Sequence, residues 1–316
     1  MTLDTSSTCA ASIRAEMTDI MSPEEEVWKN IDDVIARKKA IADGELVMPF
    51  SSQENMQIYS GVYDLCRKKS TSDYEQQLYE KYTNCLEERI MEKAVPKLLG
   101  KHGASLLTEV TNSWSEFKAF SDSIFKYFFH LDRFYTQRKA IPAVLDLAKH
   151  CFSKIVFERL YGKIQEAAMN LVIQDREGKE IDRNLLKSVF ELFLDLGEKG
   201  TTDYYAKFEQ TMLAEASVYY SELSMERWFW RDSYASYLRK VEWCLVQEEA
   251  RSDIYPSKST KTKLLRAMKY IMLDRNGKRW SQNQKSDGVR AENEELVRKY
   301  TSLSLNGDFP TCAPEK

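Results

Sequence analysis

Three features of the sequence predict an all-α fold. Glycine and proline are scarce, 11 and 7 in 316 residues, and no proline falls between Pro142 and Pro256. A stretch of that length without proline can hold helices with no internal break. Apolar residues recur at intervals of three and four, and no β-branched run alternates with polar residues as a half-buried strand would.

In chain order, residues 1–21 are rich in Ser and Thr and read as a disordered tail. The first helix starts at "SPEEEVWKNIDDVIARKKAI". Ser22 is the N-cap, Pro23 the first helical residue, and Glu25 completes a capping box. Glu24, Glu25 and Glu26 suit the positive end of the helix dipole, and Val27, Ile31, Val34 and Ile35 form an apolar stripe. A second helix, "SQENMQIYSGVYDLCRK", places Met56, Tyr59, Val62, Tyr63 and Cys66 on one side. "STSDYEQQLYEKYTNCLEERIMEKAVPKLL" is a long third helix, and residues 103–141 supply two more. Beyond Pro142 a second set follows: "AVLDLAKHCFSKIVF", "ERLYGKIQEAAMNLVIQ", "NLLKSVFELFLDLG", "YYAKFEQTMLAEASVYYSELSMERWFW" and "DSYASYLRKVEWCLVQEEARSDI". Two consecutive groups of about five helices predict a repeat architecture whose units stack and share a continuous core.

The stretch "MNLVIQDREGKEIDRNLLKSVFELFLDLG" is a joint between two helices. Gly178 can end the first in the left-handed conformation, and Asp182 can cap the second. Ile181 can pack on Leu186 as a hydrophobic staple. Leu185, Leu186, Val189, Phe190 and Phe193 are expected to face the core, and Gly197 to close the helix.

Composition excludes several functions. Net charge is -3, which gives no global case for binding nucleic acid or an anionic membrane. No apolar run reaches the roughly 18 residues of a membrane span, and the N-terminus lacks the pattern of a secretory signal. The six cysteines, Cys9, Cys66, Cys85, Cys151, Cys244 and Cys312, include no CxxC pair. They read as buried small hydrophobes or inert tail residues in a reducing compartment, with the cytoplasm, the nucleus or both as the expected location. The three histidines, His102, His130 and His150, have no metal-binding spacing, and no HExxH, GxSxG or phosphate-loop motif occurs. Carboxylate pairs such as Asp32 with Asp33 and Glu294 with Glu295 fit solvated helix faces. Neither catalysis nor a cofactor is expected. The dense aromatics read as core or protein interface rather than as a base-stacking platform.

One segment is strongly basic. Residues 258–280 carry eight Lys or Arg against one Asp, with Leu264, Leu265, Met268, Ile271 and Met272 on an apolar face. Such a helix can bind a membrane surface, calmodulin or an import receptor. The favoured expectation is a helix docked against the stack with solvated lysines.

Several segments resemble the cullin family, colinearly from about residue 27 to about residue 255. "DREGKEIDRNLLKSV" resembles that family's "ER-x-G-x-x-IDR-x-LLK-x-V", and "MQIYSGVYDLC" its "M-x-LYT-x-VYN-x-C". "DYEQQLYEKY", "FFHLDRFYTQRKAIP" and "FEQTMLAEASVYYS" match further family stretches, in wording close to plant members of the first class. The resemblance implies an elongated stalk of stacked five-helix repeats: 22–141 the first, 142–255 the second, and 256–316 a divergent remnant of a third with a disordered basic and polar tail. It also implies a non-catalytic scaffold for a Skp-type adaptor and its F-box receptor. By position, Asn55, Met56, Tyr59 and Tyr63 of the second helix, with Ser123, Lys126, Tyr127 and His130 of the fifth, would contact that adaptor. Spacings of three and four put each set on one helix face.

Three departures qualify what the resemblance implies. Asn55 stands where the family usually has Tyr, a loss expected to weaken adaptor binding by about 1–3 kcal/mol. After "SDIY" only an echo of the third repeat persists. No match to the family's C-terminal RING-binding domain or its modifier-acceptor lysine motif is found, so no RING protein is expected to bind. The chain is then expected either to hold adaptor and receptor as a non-productive competitor or to be an inactive gene product. The alternative is a helical-repeat interaction protein no longer tied to ubiquitin ligation.

Overall fold

The computed structural model describes residues 22–68, 73–197, 203–228, 234–255 and 257–277. The expected disordered tails, 1–21 and the part of 256–316 beyond residue 277, lie outside them. Among the described residues every regular element is helical, so the all-α class holds. The chain forms two compact units, Met1–Lys101 with Asn112–Leu160, and His102–Thr111 with Tyr161–Lys316.

The first unit begins with α1 (Pro23–Ala42), whose capping box forms as the sequence requires. Ser22 Oγ accepts from the Glu25 amide, and the Glu25 carboxylate accepts from the Ser22 amide. Ile31 and Val34 are buried, whereas Val27 and Ile35 are half-buried. Helix α2 (Ser52–Arg67) opens with a second capping box, Ser51 with Glu54. Its buried stripe is Ile58, Val62, Leu65 and Cys66, and Met56 lies outside it at 63% exposure. Helices α1 and α2 approach so closely that a Cβ on Gly61 would stand 2.7 Å from Val27 Cγ2.

Helix α3 (Tyr74–Arg89) continues through a π-helical turn, Ile90–Ala94, to Leu98. Where the sequence predicts two helices after residue 102, a single 26-residue helix, α4 (Gly103–Phe128), runs on. Only a short helical stretch, Asp132–Lys139, comes after it. Nothing between Gly103 and Phe128 is a helix breaker. Within this unit, Tyr82 stacks on Phe128 at 4.8 Å and its hydroxyl meets Ser121 Oγ at 3.1 Å. Trp114 and Phe117 both pack on Phe152. Asp132 Oδ1 accepts from the Val144 amide at 2.7 Å, capping α5 (Val144–Phe152) from twelve residues upstream.

The predicted boundary between the next two helices is also absent. Helix α5 passes through a π-helical turn, Ser153–Phe157, directly into α6 (Glu158–Arg176). The backbone stays in the right-handed helical region at Ser153 and Glu158, because no Gly or Pro interrupts it.

In the second unit the joint follows the expected grammar. Gly178 has φ +80°. The Lys179 amide bonds Gln174 O at 2.9 Å and the Gly178 amide bonds Asp175 O at 3.1 Å, the paired bonds of a Schellman end. Asp182 Oδ1 accepts from the Leu185 amide at 3.0 Å and starts α7 (Arg183–Gly197). Leu186, Val189, Phe190 and Phe193 are buried, while Leu185 is only half-buried. Phe190 and Phe193 pack on Phe208 of α8 (Tyr204–Glu222) at 5.2 and 5.3 Å. Helices α9 (Tyr234–Arg251) and α10 (Lys258–Lys269) follow, and α10 continues into a π-helical stretch, Tyr270–Gly277.

The basic segment behaves as a docked helix. Leu264, Met268, Ile271 and Met272 are buried and Leu265 is half-buried. Lys263 pairs with Glu209 at 2.6 Å and Lys261 with Glu249 at 3.1 Å. Thr260, fully buried, bonds Tyr205 and Glu209. The apolar face that would enter a membrane or calmodulin is therefore occupied by the protein's own core.

Candidate functional site

At one edge of the first unit, the start of α2 meets the end of α4. Asn55 joins them. Its Nδ2 donates to Phe50 O (3.1 Å) and Ser51 O (2.9 Å), and its Oδ1 accepts from the Tyr127 hydroxyl and from Lys126 Nζ at 3.3 Å. One amide side chain thus uses both its donor and its acceptor, and its orientation is set by those partners. Lys126 also lies 4.9 Å from the Tyr127 ring centroid, within cation–π range.

One turn further along α2, rings replace polar groups. Tyr59 meets the His130 ring edge-on at 4.5 Å and Phe129 at 5.7 Å. Tyr63 meets His130 at 5.0 Å and Phe134 at 5.7 Å, and Phe129 lies 4.1 Å from His130. His130 is buried and its Nε2 has no hydrogen-bond partner. Burial, reinforced by the charge of Arg133, holds its imidazole below the ordinary range, so the neutral form prevails at neutral pH.

Six of the eight residues singled out from the sequence therefore make direct contacts within this edge: Asn55 with Lys126 and Tyr127, and Tyr59 and Tyr63 with His130. Met56 stands outward on α2. Ser123 donates to Phe120 O of its own helix at 2.7 Å. Tyr127 is 2% exposed and faces inward, whereas Met56 and Phe129 present apolar surface to solvent.

Sequence reasoning left out Phe129, Phe134 and the Ser51–Glu54 capping box, although all were readable in the chain. It also left out Arg37 and Phe50. Arg37 sits 4.2 Å over the Phe50 ring and 3.9 Å from Glu54, a juxtaposition across helices that no local spacing encodes.

A second polar cluster lies inside the second unit. Glu248 accepts from Arg176 Nε and Nη2 (3.2 and 3.0 Å), from the Tyr220 hydroxyl (2.8 Å) and from Arg251 Nη1 (3.0 Å). Asp175 lies 2.9 Å from Arg183 Nη2 and 3.4 Å from Arg251 Nε. The charged string at the joint thus feeds α6 and α7 into a network with α8 and α9.

The thiols of Cys66, Cys85, Cys151 and Cys244 are free and buried. Burial pushes them up to about 12, 11, 12 and 11, so they stay protonated and unreactive at neutral pH. Cys9 and Cys312 lie outside the described residues. No described helix is long and apolar enough to cross a membrane, and no group of three or more His, Cys, Asp or Glu among the described residues could hold a metal ion.

Comparison with known proteins gives one consistent family. The model of the cullin alpha solenoid domain matches residues 36–309. Cullin-1 of Oryza sativa subsp. japonica is 32% identical over 249 residues, which cover 79% of this chain and 33% of the relative. Cullin-2 of Arabidopsis thaliana is 31% identical over 257 residues, 80% of this chain and 34% of the relative. Cullin-like protein 3 of Arabidopsis thaliana is 28% identical over 237 residues, 75% of this chain and 91% of the relative. The chain spans about a third of the length of the first two relatives.

Proposed function

Because the chain belongs to the cullin family, we propose that it is a protein-binding scaffold of ubiquitin ligation that engages a Skp-type adaptor with its F-box receptor and performs no catalysis itself. The observation that carries this reading is the aromatic edge formed by Tyr59, Tyr63, Phe129 and His130, with Met56 exposed beside it. Tyrosines offer a large apolar area and a hydroxyl at modest entropic cost, which suits an interface centre. Residues 22–141 and 142–255 are proposed as the two repeats of the scaffold.

The test is direct. The purified 316-residue polypeptide should bind adaptor at micromolar concentration. Added to a reconstituted cullin ligase, it should slow substrate ubiquitylation by holding adaptor away from the active scaffold. Tyr59→Ala combined with Met56→Ala should abolish the inhibition while circular dichroism still reports a helical fold. Asn55→Tyr should tighten binding if the aromatic contact outweighs the lost amide bonds. Absence of both binding and inhibition would overturn the competitor reading.

A second reading is favoured by one specific observation. Tyr127 is buried with its hydroxyl on Asn55, so a family contact position is spent inside the chain. Such withdrawal fits a helical-repeat interaction protein no longer tied to ubiquitin ligation. Binding that survives in Tyr59→Ala and Met56→Ala chains, with a partner other than adaptor, would support it.

A further inference from the structure

The loop from α1 to α2 is held at both ends and apolar between them. At its start α1 closes at Gly44, φ +83°. The Gly44 amide bonds Ile41 O and the Glu45 amide bonds Ala40 O, both at 3.0 Å, the same paired bonds as at Gly178. Asp43 beside them bridges Arg89 at 2.7 Å and Lys93 at 2.9 Å. At the far end Arg37 lies 4.2 Å over the Phe50 ring, and Phe50 O accepts from Asn55 Nδ2 at 3.1 Å. Pro49 restricts the backbone just before that anchor. Between the anchors Leu46 is wholly exposed and Met48 is 81% exposed, more than any other large apolar side chain among the described residues. A single exposed leucine is ordinary. Here two such side chains stand on a held loop that leads towards Met56, itself 63% exposed. Met48 is two residues from Phe50, so their Cα atoms are within about 7.6 Å, and Phe50 bonds the residue next to Met56.

We propose that Leu46 and Met48 are anchor residues that enter an apolar groove of the adaptor, which then covers the α1–α2 loop together with the α2–α4 edge. This rests on the adaptor-binding reading above and extends it to a loop outside the eight residues carried over from the family resemblance. The loop is already fixed in the free chain, so burying its side chains costs little further ordering. The methionine, unbranched and flexible, can fit the shape of such a groove. A second copy of this chain is the poorer occupant, because a projection needs an apolar concavity. Two clefts that α1 lines are charged, one with Glu24, Asp64 and Lys68 and the other with Asp32, Lys81 and Glu88.

The experiment titrates the full chain with purified adaptor by calorimetry at several temperatures. Leu46→Ser combined with Met48→Ser should weaken binding about tenfold or more. It should also make the heat-capacity change of binding less negative, the mark of lost apolar burial. The melting temperature of the free double variant should not fall, since neither side chain is buried in the free chain; a clear fall would mean that both pack internally and would overturn the inference. Leu145→Ser, which removes a 55% exposed leucine from α5, should leave affinity unchanged, and an equal loss there would overturn the inference as a general surface effect. Unchanged affinity in the double variant, with the unmodified chain binding normally, overturns the inference and leaves the adaptor reading standing. So does a dimer of the unmodified chain in sedimentation that the double variant abolishes without loss of adaptor affinity, which would assign the loop to self-association. Failure of the unmodified chain to bind adaptor removes both readings.

Discussion

Arg176 and Glu248 form an ion pair at 3.0 Å in which both side chains are completely shielded from solvent. The pair does not stand alone, since Tyr220 and Arg251 donate to the second carboxylate oxygen. Breaking such a cluster by removing one member leaves uncompensated buried charge. Glu248→Ala should therefore cost about 3–5 kcal/mol. Arg183→Ala should cost no more than about 1 kcal/mol, because its side chain is half exposed where it meets Asp175. Urea melts of the two variants check the ranking.

The same carboxylate makes stability depend on pH. Burial opposes the charge of Glu248, but Arg176, the Tyr220 hydroxyl and Arg251 together outweigh it and hold the carboxyl below its ordinary 4.5. A depressed folded-state value means that the unfolded chain takes up the proton more readily. The stabilisation is fully present above about pH 5 and is lost as pH falls through the folded-state value. Glu248→Gln should remove this part of the acid slope, measured as the change in denaturation midpoint between pH 6 and pH 3.

Helix α7 should respond according to burial. Leu186 and Phe190 are fully buried, so replacement by Ala should cost about 2–5 kcal/mol each. Asp182→Ala removes the cap on the Leu185 amide and should cost about 0.5–2 kcal/mol. Equal, negligible losses in denaturant melts would contradict the packing described.

Gly61 offers a test of the α1–α2 crossing. Alanine there gains roughly 1 kcal/mol of helix propensity but must displace Val27 Cγ2 from 2.7 Å. A helical valine has one favoured rotamer and cannot swing away, so overpacking of about 1–3 kcal/mol should win. Val27→Ala combined with Gly61→Ala should recover part of the loss, and a double-mutant cycle by thermal melting measures the coupling.

Much of this was legible in local sequence grammar. Ser22 with Glu25, Gly178 and Asp182 behave as their positions require, because caps and left-handed ends are decided within a few residues. The all-α class followed from the same local rules. Helix boundaries were less legible. The π-helical turn Ser153–Phe157 carries one helix into the next with the backbone hydrogen bonds kept, and no residue type announces it. Met56 was placed on one side of α2 with Val62 and Cys66, which are buried, because helical spacing cannot distinguish the edge of a stripe from its centre. The candidate site was legible as residues but not as an arrangement. That Asn55 spends its amide on Tyr127 and Lys126 depends on how two helices cross. The Glu248 cluster was hidden for the same reason, since Arg176 and Glu248 lie 72 residues apart in the chain.

That cluster has a kinetic consequence for the second unit. Helices α6, α7, α8 and α9 each contribute a side chain that ends on Glu248 or Asp175. Of these, Arg176 of α6 and Glu248 of α9 are both fully shielded, so neither α6 nor α9 can detach without stranding a buried charge. Opening of either one alone is thereby made costly, and these two helices should exchange their slowest amide protons with one shared opening free energy.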